Sequence, residues 1–150
     1  MSNISEILAN ANARGSQKQL SYEGELLPTE AHELLQKAPG AKLVDVRTHA
    51  EWDFVGRIPG SIEIEWESYQ DGKPNPYFVE QLRRQVEPEA LVMFICRSGN
   101  RSHHAAAAAA AAGYTQSYNV LEGFEGKKDA NNHRNTVGGW RVAGLPWYQG

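Results

Sequence analysis

Leu91-Val92-Met93-Phe94-Ile95-Cys96-Arg97-Ser98-Gly99-Asn100-Arg101-Ser102, followed by His103-His104 and a run of alanines from Ala105 to Ala112, decides the fold. Leu91 to Ile95 is continuously apolar, as expected for a strand covered on both faces. Alanine is the best helix former and the smallest side chain that keeps a Cβ, so the alanine run predicts a helix lying close to a sheet and ending at Gly113. Between strand and helix sits a short glycine-containing loop whose first residue is Cys96, the one cysteine of the chain. Helix N-termini offer free N–H groups and partial positive charge, which bind anions and favour a thiolate over a thiol. Arg97 and Arg101 add full charges. A lone cysteine is commonly just a small buried hydrophobe. A structural cysteine, however, has no need of a basic loop leading into a helix. The pattern points to a nucleophile working on a small anion.

Outward from this unit, strands and helices alternate. Lys42 to Val46 reads as a short strand, and Ile62 to Ile64 as another after the turn Arg57-Ile58-Pro59-Gly60-Ser61. Tyr118 to Leu121 supplies a last strand. Pro28-Thr29-Glu30 opens a helix with Ala31, Leu34, Leu35 and Ala38 on its apolar side, stopped by Pro39-Gly40. Thr48 and Glu51 have capping-box spacing for a brief helix. Asn75-Pro76 opens another, carrying Phe78, Val79, Leu82 and Val86. From Asn3 to about Arg14, Ile4, Ile7, Leu8 and Ala11 share a helical face, predicting an N-terminal helical extension (1–22) that packs on the domain or on a partner. Residues 23–150 then form a single domain. The class is α/β with a mainly parallel sheet. Ligands of such sheets bind beyond the carboxyl ends of the strands, where Cys96 falls.

Composition narrows the chemistry. A chain of 150 residues suits one domain with a real core. A net charge of −3 offers no nucleic-acid footprint. One cysteine excludes an intramolecular disulfide and a multi-cysteine zinc site. The histidines are scattered, and the adjacent His103 and His104 would point apart on a helix; neither a metal nor another cofactor is expected. Met1 to Leu20 lacks an apolar core of signal-peptide type, and no run is long enough to cross a bilayer, so no membrane association is expected. A reducing, cytoplasmic setting would keep Cys96 a thiol. A monomer is the default for a slightly acidic domain of this size.

These residues resemble the rhodanese (thiosulfate sulfurtransferase) homology domain, of single-domain type, over residues 24–148. The resemblance rests on Leu43-Val44-Asp45-Val46-Arg47 with Glu51, Gly56-Arg57-Ile58-Pro59-Gly60-Ser61, Cys96 to Ser102, Leu121-Glu122-Gly123, and Gly139-Trp140 through Ala143-Gly144-Leu145-Pro146, all in the family order. It implies a central five-stranded sheet flanked by helices in three layers. It also implies a cysteine that carries a persulfide sulfur from a small anionic donor, such as thiosulfate, or a persulfide to cyanide, a thiol or an acceptor protein. Cys96 is then the catalytic nucleophile. Arg97, Ser98, Gly99, Asn100, Arg101 and Ser102 form the active-site loop, with its N–H groups around the sulfur and Arg97 and Arg101 attracting the donor.

Three competing readings are testable against geometry. Cysteine phosphatases, and arsenate reductases with a similar loop, use Cys-x5-Arg; here the count is Cys-x4-Arg, one residue short and suited to a single sulfur atom. A non-catalytic interaction module would keep the fold without needing Cys96. A sulfur relay would take a protein as its true acceptor. Two departures from the family pattern stand out. Arg57 occupies a position usually His. After Gly123 comes Phe124 rather than a second glycine, and Trp140 arrives only after the polar stretch 126–135. In that stretch Lys127, Lys128, His133 and Arg134 either select an anionic donor or dock an acceptor, or are simply solvated. Asp45 and Arg47 either hold the cysteine loop in shape or form an ordinary ion pair. Trp140 and Trp147 are read as packing residues, with Trp140 a possible wall of the pocket.

Overall fold

The computed structural model describes residues 3–149; Met1, Ser2 and Gly150, at the outer ends of the two expected segments, lie outside them. Its elements run α1 (Ile4–Gln17), β1 (Gly24–Leu26), α2 (Pro28–Lys37), β2 (Lys42–Asp45), α3 (His49–Phe54), β3 (Ile62–Glu63), α4 (Phe78–Gln85), β4 (Val92–Ile95), α5 (Asn100–Ala111) and β5 (Ser117–Val120). The strands make one five-stranded sheet in the order β1-β5-β4-β2-β3. Every pairing is parallel. β4, the apolar run, lies in the middle between β5 and β2, which is why its residues need be polar on neither side.

Side chains of successive strand residues alternate between the two faces. Met93 and Ile95 join a core with Ile7 and Ala11 of α1, Ala31 and Leu34 of α2, and Trp140. Val92, Phe94 and Cys96 join the opposite core with Phe78 and Leu82 of α4 and Ala105, Ala106 and Ala109 of α5. The result is three layers, with Cys96 on the α4/α5 side. The alanines do what their size allows: α5 comes close enough to the sheet for Ser117 Oγ of β5 to donate to the Ala106 carbonyl at 2.8 Å.

Two helix starts follow their sequence signals, whereas α4 begins at Phe78, past the expected Asn75-Pro76 opening, and leaves Val86 extended beyond its end. Asn3 caps α1 by accepting from the Glu6 N–H at 2.8 Å. Thr48 and Glu51 form the expected capping box on α3. The stretch read as N-terminal extension packs against the sheet: α1 crosses β1 so closely that a Cβ on Gly24 would lie 2.2 Å from the Ala11 carbonyl oxygen. β1 is an element that the residue pattern did not reveal, although the family resemblance required a fifth strand. Gly24-Glu25-Leu26 is too short and too mixed to show a period. It is held from outside by pairing with Tyr118, Asn119 and Val120 of β5. Among the described residues, no helix is long and apolar enough to cross a membrane.

Candidate active site

Cys96 directly follows β4, so the sheet delivers its sulfur to the carboxyl edge. The side chain is 1% exposed. Gly99 turns the chain there at φ +106°, a conformation suited to glycine, and serves as the N-cap of α5. That turn aims its backbone N–H at Cys96 Sγ, 3.1 Å away. From the first turn of α5, Ser102 Oγ reaches the same sulfur at 3.2 Å. Ser102 also donates to Asn119 Oδ1 at 2.6 Å, and Asn119 Nδ2 donates to the Gly99 carbonyl at 3.2 Å. The loop is therefore pinned from below by a buried amide of β5. Its second support is the chain after β5: Phe124 N–H donates to the Cys96 carbonyl at 2.8 Å and Glu125 N–H to the Arg97 carbonyl at 2.9 Å. Gly123 is at φ +67°, and a Cβ there would lie 2.6 Å from the carbonyl oxygens of both Cys96 and Arg97. Only a residue without a side chain fits so near the loop.

The two arginines of the loop have different circumstances. Arg101 grips Glu51 of α3 with both ends of its guanidinium, Nη1 to Oε1 at 2.7 Å and Nη2 to Oε2 at 2.9 Å. Its Nε lies 3.9 Å from Glu67. Burial opposes ionisation of Glu51, but the Arg101 fork and the Thr48 donors outweigh it and hold the carboxyl below its ordinary range. Burial likewise works against the Arg101 charge, and Glu51 overcomes it and raises the guanidinium's already high value. Arg97 is exposed, and no side-chain hydrogen bond or ion pair engages it among the described residues. Both arginines border a cleft of about 390 Å³ whose other walls include Thr48, Glu51, Val55, Glu67, Tyr69 and Glu125. Asn100 is exposed at the start of α5, and Ser98 borders a second groove of about 440 Å³ with Lys127, Glu122 and Val137. A larger hollow of about 720 Å³ between α3, β3 and α4 touches no loop residue.

A cysteine at the carboxyl end of a central parallel strand, cradled at the start of a helix, can now be compared with known proteins. The model of the rhodanese-like domain matches residues 27–130. The chain belongs to the rhodanese-like domain family. An uncharacterized protein of Rickettsia conorii is 36% identical over 125 residues, covering 79% of this chain and 92% of that relative. The crystal structure of Rv0390 from M. tuberculosis is 47% identical with a TM-score of 0.79, covering 86% of this chain and 99% of that one. The solution structure of a polysulfide-sulfur transferase homodimer from Wolinella succinogenes shares the fold at 21% identity and a TM-score of 0.60, covering 99% of this chain and 95% of that one.

Within this rhodanese-like domain, the remaining expected site residues occupy distinct places. Asp45 and Arg47 form a fully buried pair, Nη2 to Oδ2 at 2.7 Å. Arg47 Nη2 also donates to the Gly56 carbonyl, and its guanidinium lies 4.2 Å above the Phe124 ring. The pair reaches the loop through Phe124, whose N–H binds the Cys96 carbonyl. In the polar stretch, Asp129 organises the turn by accepting from the Asn131 and His133 N–H groups and from Thr136 Oγ1. Arg134 is turned inward to the Gly126 carbonyl at 2.8 Å. His133 and Lys128 are exposed, and Lys127 is the member of the set that shares a groove with the loop, beside Ser98. Arg57 pairs with Asp53 and Glu63. Trp140 is core, with Nε1 donating to the Pro146 carbonyl, while Trp147 is exposed, with the Arg141 guanidinium over its ring.

Asn119 is the residue that sequence reading passed over. A polar side chain in a strand between two apolar residues is the signal that marks it. Tyr22 is a second. Its hydroxyl lies 2.6 Å from His103 Nδ1, and burial, followed by the Glu25 charge, pushes its pKa up to about 12. The contact ties the segment before β1 to the first turn of α5.

Proposed function

We propose that this rhodanese-like protein is a sulfurtransferase that carries a sulfane sulfur on Cys96 between a thiosulfate or persulfide donor and a thiophilic acceptor. The observation that carries the reading is the Gly99 N–H aimed from 3.1 Å at the buried Cys96 sulfur, at the N-terminus of α5. Hydrogen bonds aimed at one buried atom favour a charge that resides on that atom. With thiosulfate, the Cys96 thiolate attacks the outer sulfur, the S–S bond breaks, and sulfite leaves with the electron pair. Cys96 holds the transferred sulfur as a persulfide. Cyanide, a cellular thiol or a protein thiolate then attacks that terminal sulfur and restores the thiolate. Splitting the transfer in two predicts ping-pong kinetics. The phosphatase reading loses support because Arg101, the arginine it would need over a phosphate, is committed to Glu51.

Intact-protein mass spectrometry tests this after brief exposure to thiosulfate and, separately, to a persulfide donor under non-reducing conditions. The expected result is a gain of one sulfur in wild type, reversed by cyanide and absent in Cys96→Ser. No gain with either donor overturns the proposal and leaves a non-catalytic module.

A further inference from the structure

The cleft beside the loop, bordered by Arg97 and Arg101, is not the basic funnel that these two arginines suggest in the sequence. Arg101 and Glu51 neutralise each other in a two-bond fork. What remains on the walls is Arg97 with two further carboxylates, Glu67 and Glu125. Glu67 has only a 3.9 Å contact to Arg101 Nε, and Glu125 has no ion-pair partner among the described residues. The positions are set by the backbone. Glu125 N–H is bonded to the Arg97 carbonyl, so these two side chains depart from adjoining points on one lip. Glu67 stands in another wall, where a bridge to Pro74 fixes the base of the 68–73 turn. A bare dianion entering this space meets one available cation and two available anions.

We propose that the cleft selects a donor persulfide bearing an ammonium group beside a carboxylate, the head group of an amino acid, over inorganic thiosulfate. This rests on the sulfurtransferase reading and names the donor class for it. Arg97 takes the donor carboxylate, Glu67 and Glu125 take the ammonium, and the sulfane sulfur is presented to the loop. The step balances without an oxidant. Cys96 thiolate forms a bond to the outer sulfur of the donor, the donor S–S bond breaks, and the donor thiolate leaves with the electron pair. Glu67 and Glu125 act as specificity residues and take no part in bond making.

The test measures the rate of sulfur loading on Cys96 by intact mass, with cysteine persulfide, N-acetylcysteine persulfide and thiosulfate as separate probes. N-acetylation removes the ammonium and leaves the carboxylate and the sulfurs. Wild type should load from cysteine persulfide about fivefold faster than from the acetylated donor, the size of one exposed ion pair. In Glu67→Gln and Glu125→Gln, and most in the double variant, that ratio should fall towards one while loading from thiosulfate rises. Equal or faster loading from the acetylated donor in wild type overturns the inference and leaves the sulfurtransferase reading standing, as does a ratio untouched by the variants. No loading from any of the three donors overturns both. The wild-type comparison needs no variant, so a folding defect cannot hide the answer.

Discussion

Glu51→Gln separates a structural role for Arg101 from a donor-binding one. The Glu51 carboxylate accepts from Arg101 Nη1 and Nη2 at 2.7 and 2.9 Å and from Thr48 N and Oγ1 at 3.1 and 3.0 Å. Glutamine keeps one oxygen for Thr48, so the cap of α3 survives. Its amide nitrogen, however, then faces an Arg101 nitrogen, donor against donor. One charge-assisted bond is lost and the other weakened, where each contributes about 1.5–3 kcal/mol. Side-chain exposures of 16% for Arg101 and 11% for Glu51 admit some water, which offsets part of the loss. The expected destabilisation is about 2 kcal/mol, or roughly 4–8 °C in Tm for a chain of this length. Urea unfolding at pH 7 measures it, with an unchanged m-value showing that the native state was the one affected.

The pH dependence supplies a second arm. The folded carboxyl of Glu51 lies below the ordinary value of 4.5. Its contribution is therefore complete above that value and is lost as pH falls through the lower, folded one. The glutamine variant has no such proton to bind, so the gap between the two proteins should close in acid. A difference under about 0.5 kcal/mol at pH 7, or one that stays constant down to pH 3, refutes the reasoning. The functional readout has opposite signs for the two roles. An arginine that serves as a strut gives slower sulfur loading when released, whereas one that binds the donor gives faster loading from thiosulfate.

Three further perturbations probe separate supports of the loop. Gly123→Ala forces a Cβ to 2.6 Å from two loop carbonyls at φ +67° and should cost more than about 2 kcal/mol in urea unfolding; a near-neutral result would mean that the close approach is not real. Ser102→Ala removes one contact of the sulfur and leaves Asn119 Oδ1 buried without its donor, so stability should fall by about 1–3 kcal/mol and sulfur loading should slow as the support beneath the loop loosens. Unchanged loading would deny the hydroxyl any role at the sulfur. Ile7→Ala, which empties a buried site of α1, should cost about 2–4 kcal/mol in a single transition; a separate early transition would instead mark α1 as an independently melting extension.

How much of this was legible in the sequence depends on the range over which each feature is decided. β4, the loop and α5 are local: an apolar run, a glycine and an alanine run each specify their conformation within a few residues, and the structure follows them closely. The capping box of α3 is likewise complete within Thr48–Glu51. β1 is the opposite case. Gly24-Glu25-Leu26 has one apolar side chain, and its strand conformation comes from β5 on one side and the backbone of α1 above. The same division applies inside the site. That Gly99 turns the chain is local, whereas Asn119 beneath Ser102 is a contact across 17 residues.

Charge is where local reading misleads most, and the reason is physical. Near a cysteine, arginines in sequence suggest a positive field, but a field is a sum over everything within a few ångströms. Arg97 and Arg101 are four positions apart in one motif. One is cancelled by a carboxylate 50 residues upstream, and the other shares its cleft with glutamates contributed by two different connections. None of these three glutamates lies within the cysteine motif. On the proposed sulfurtransferase reading, rhodanese-like domains with the same Cys-x4-Arg loop need not share a donor, because the loop would hold the sulfur while the surrounding connections select what approaches. Comparing donor preference before and after neutralising Glu67 and Glu125, with the loop untouched, separates those two contributions directly.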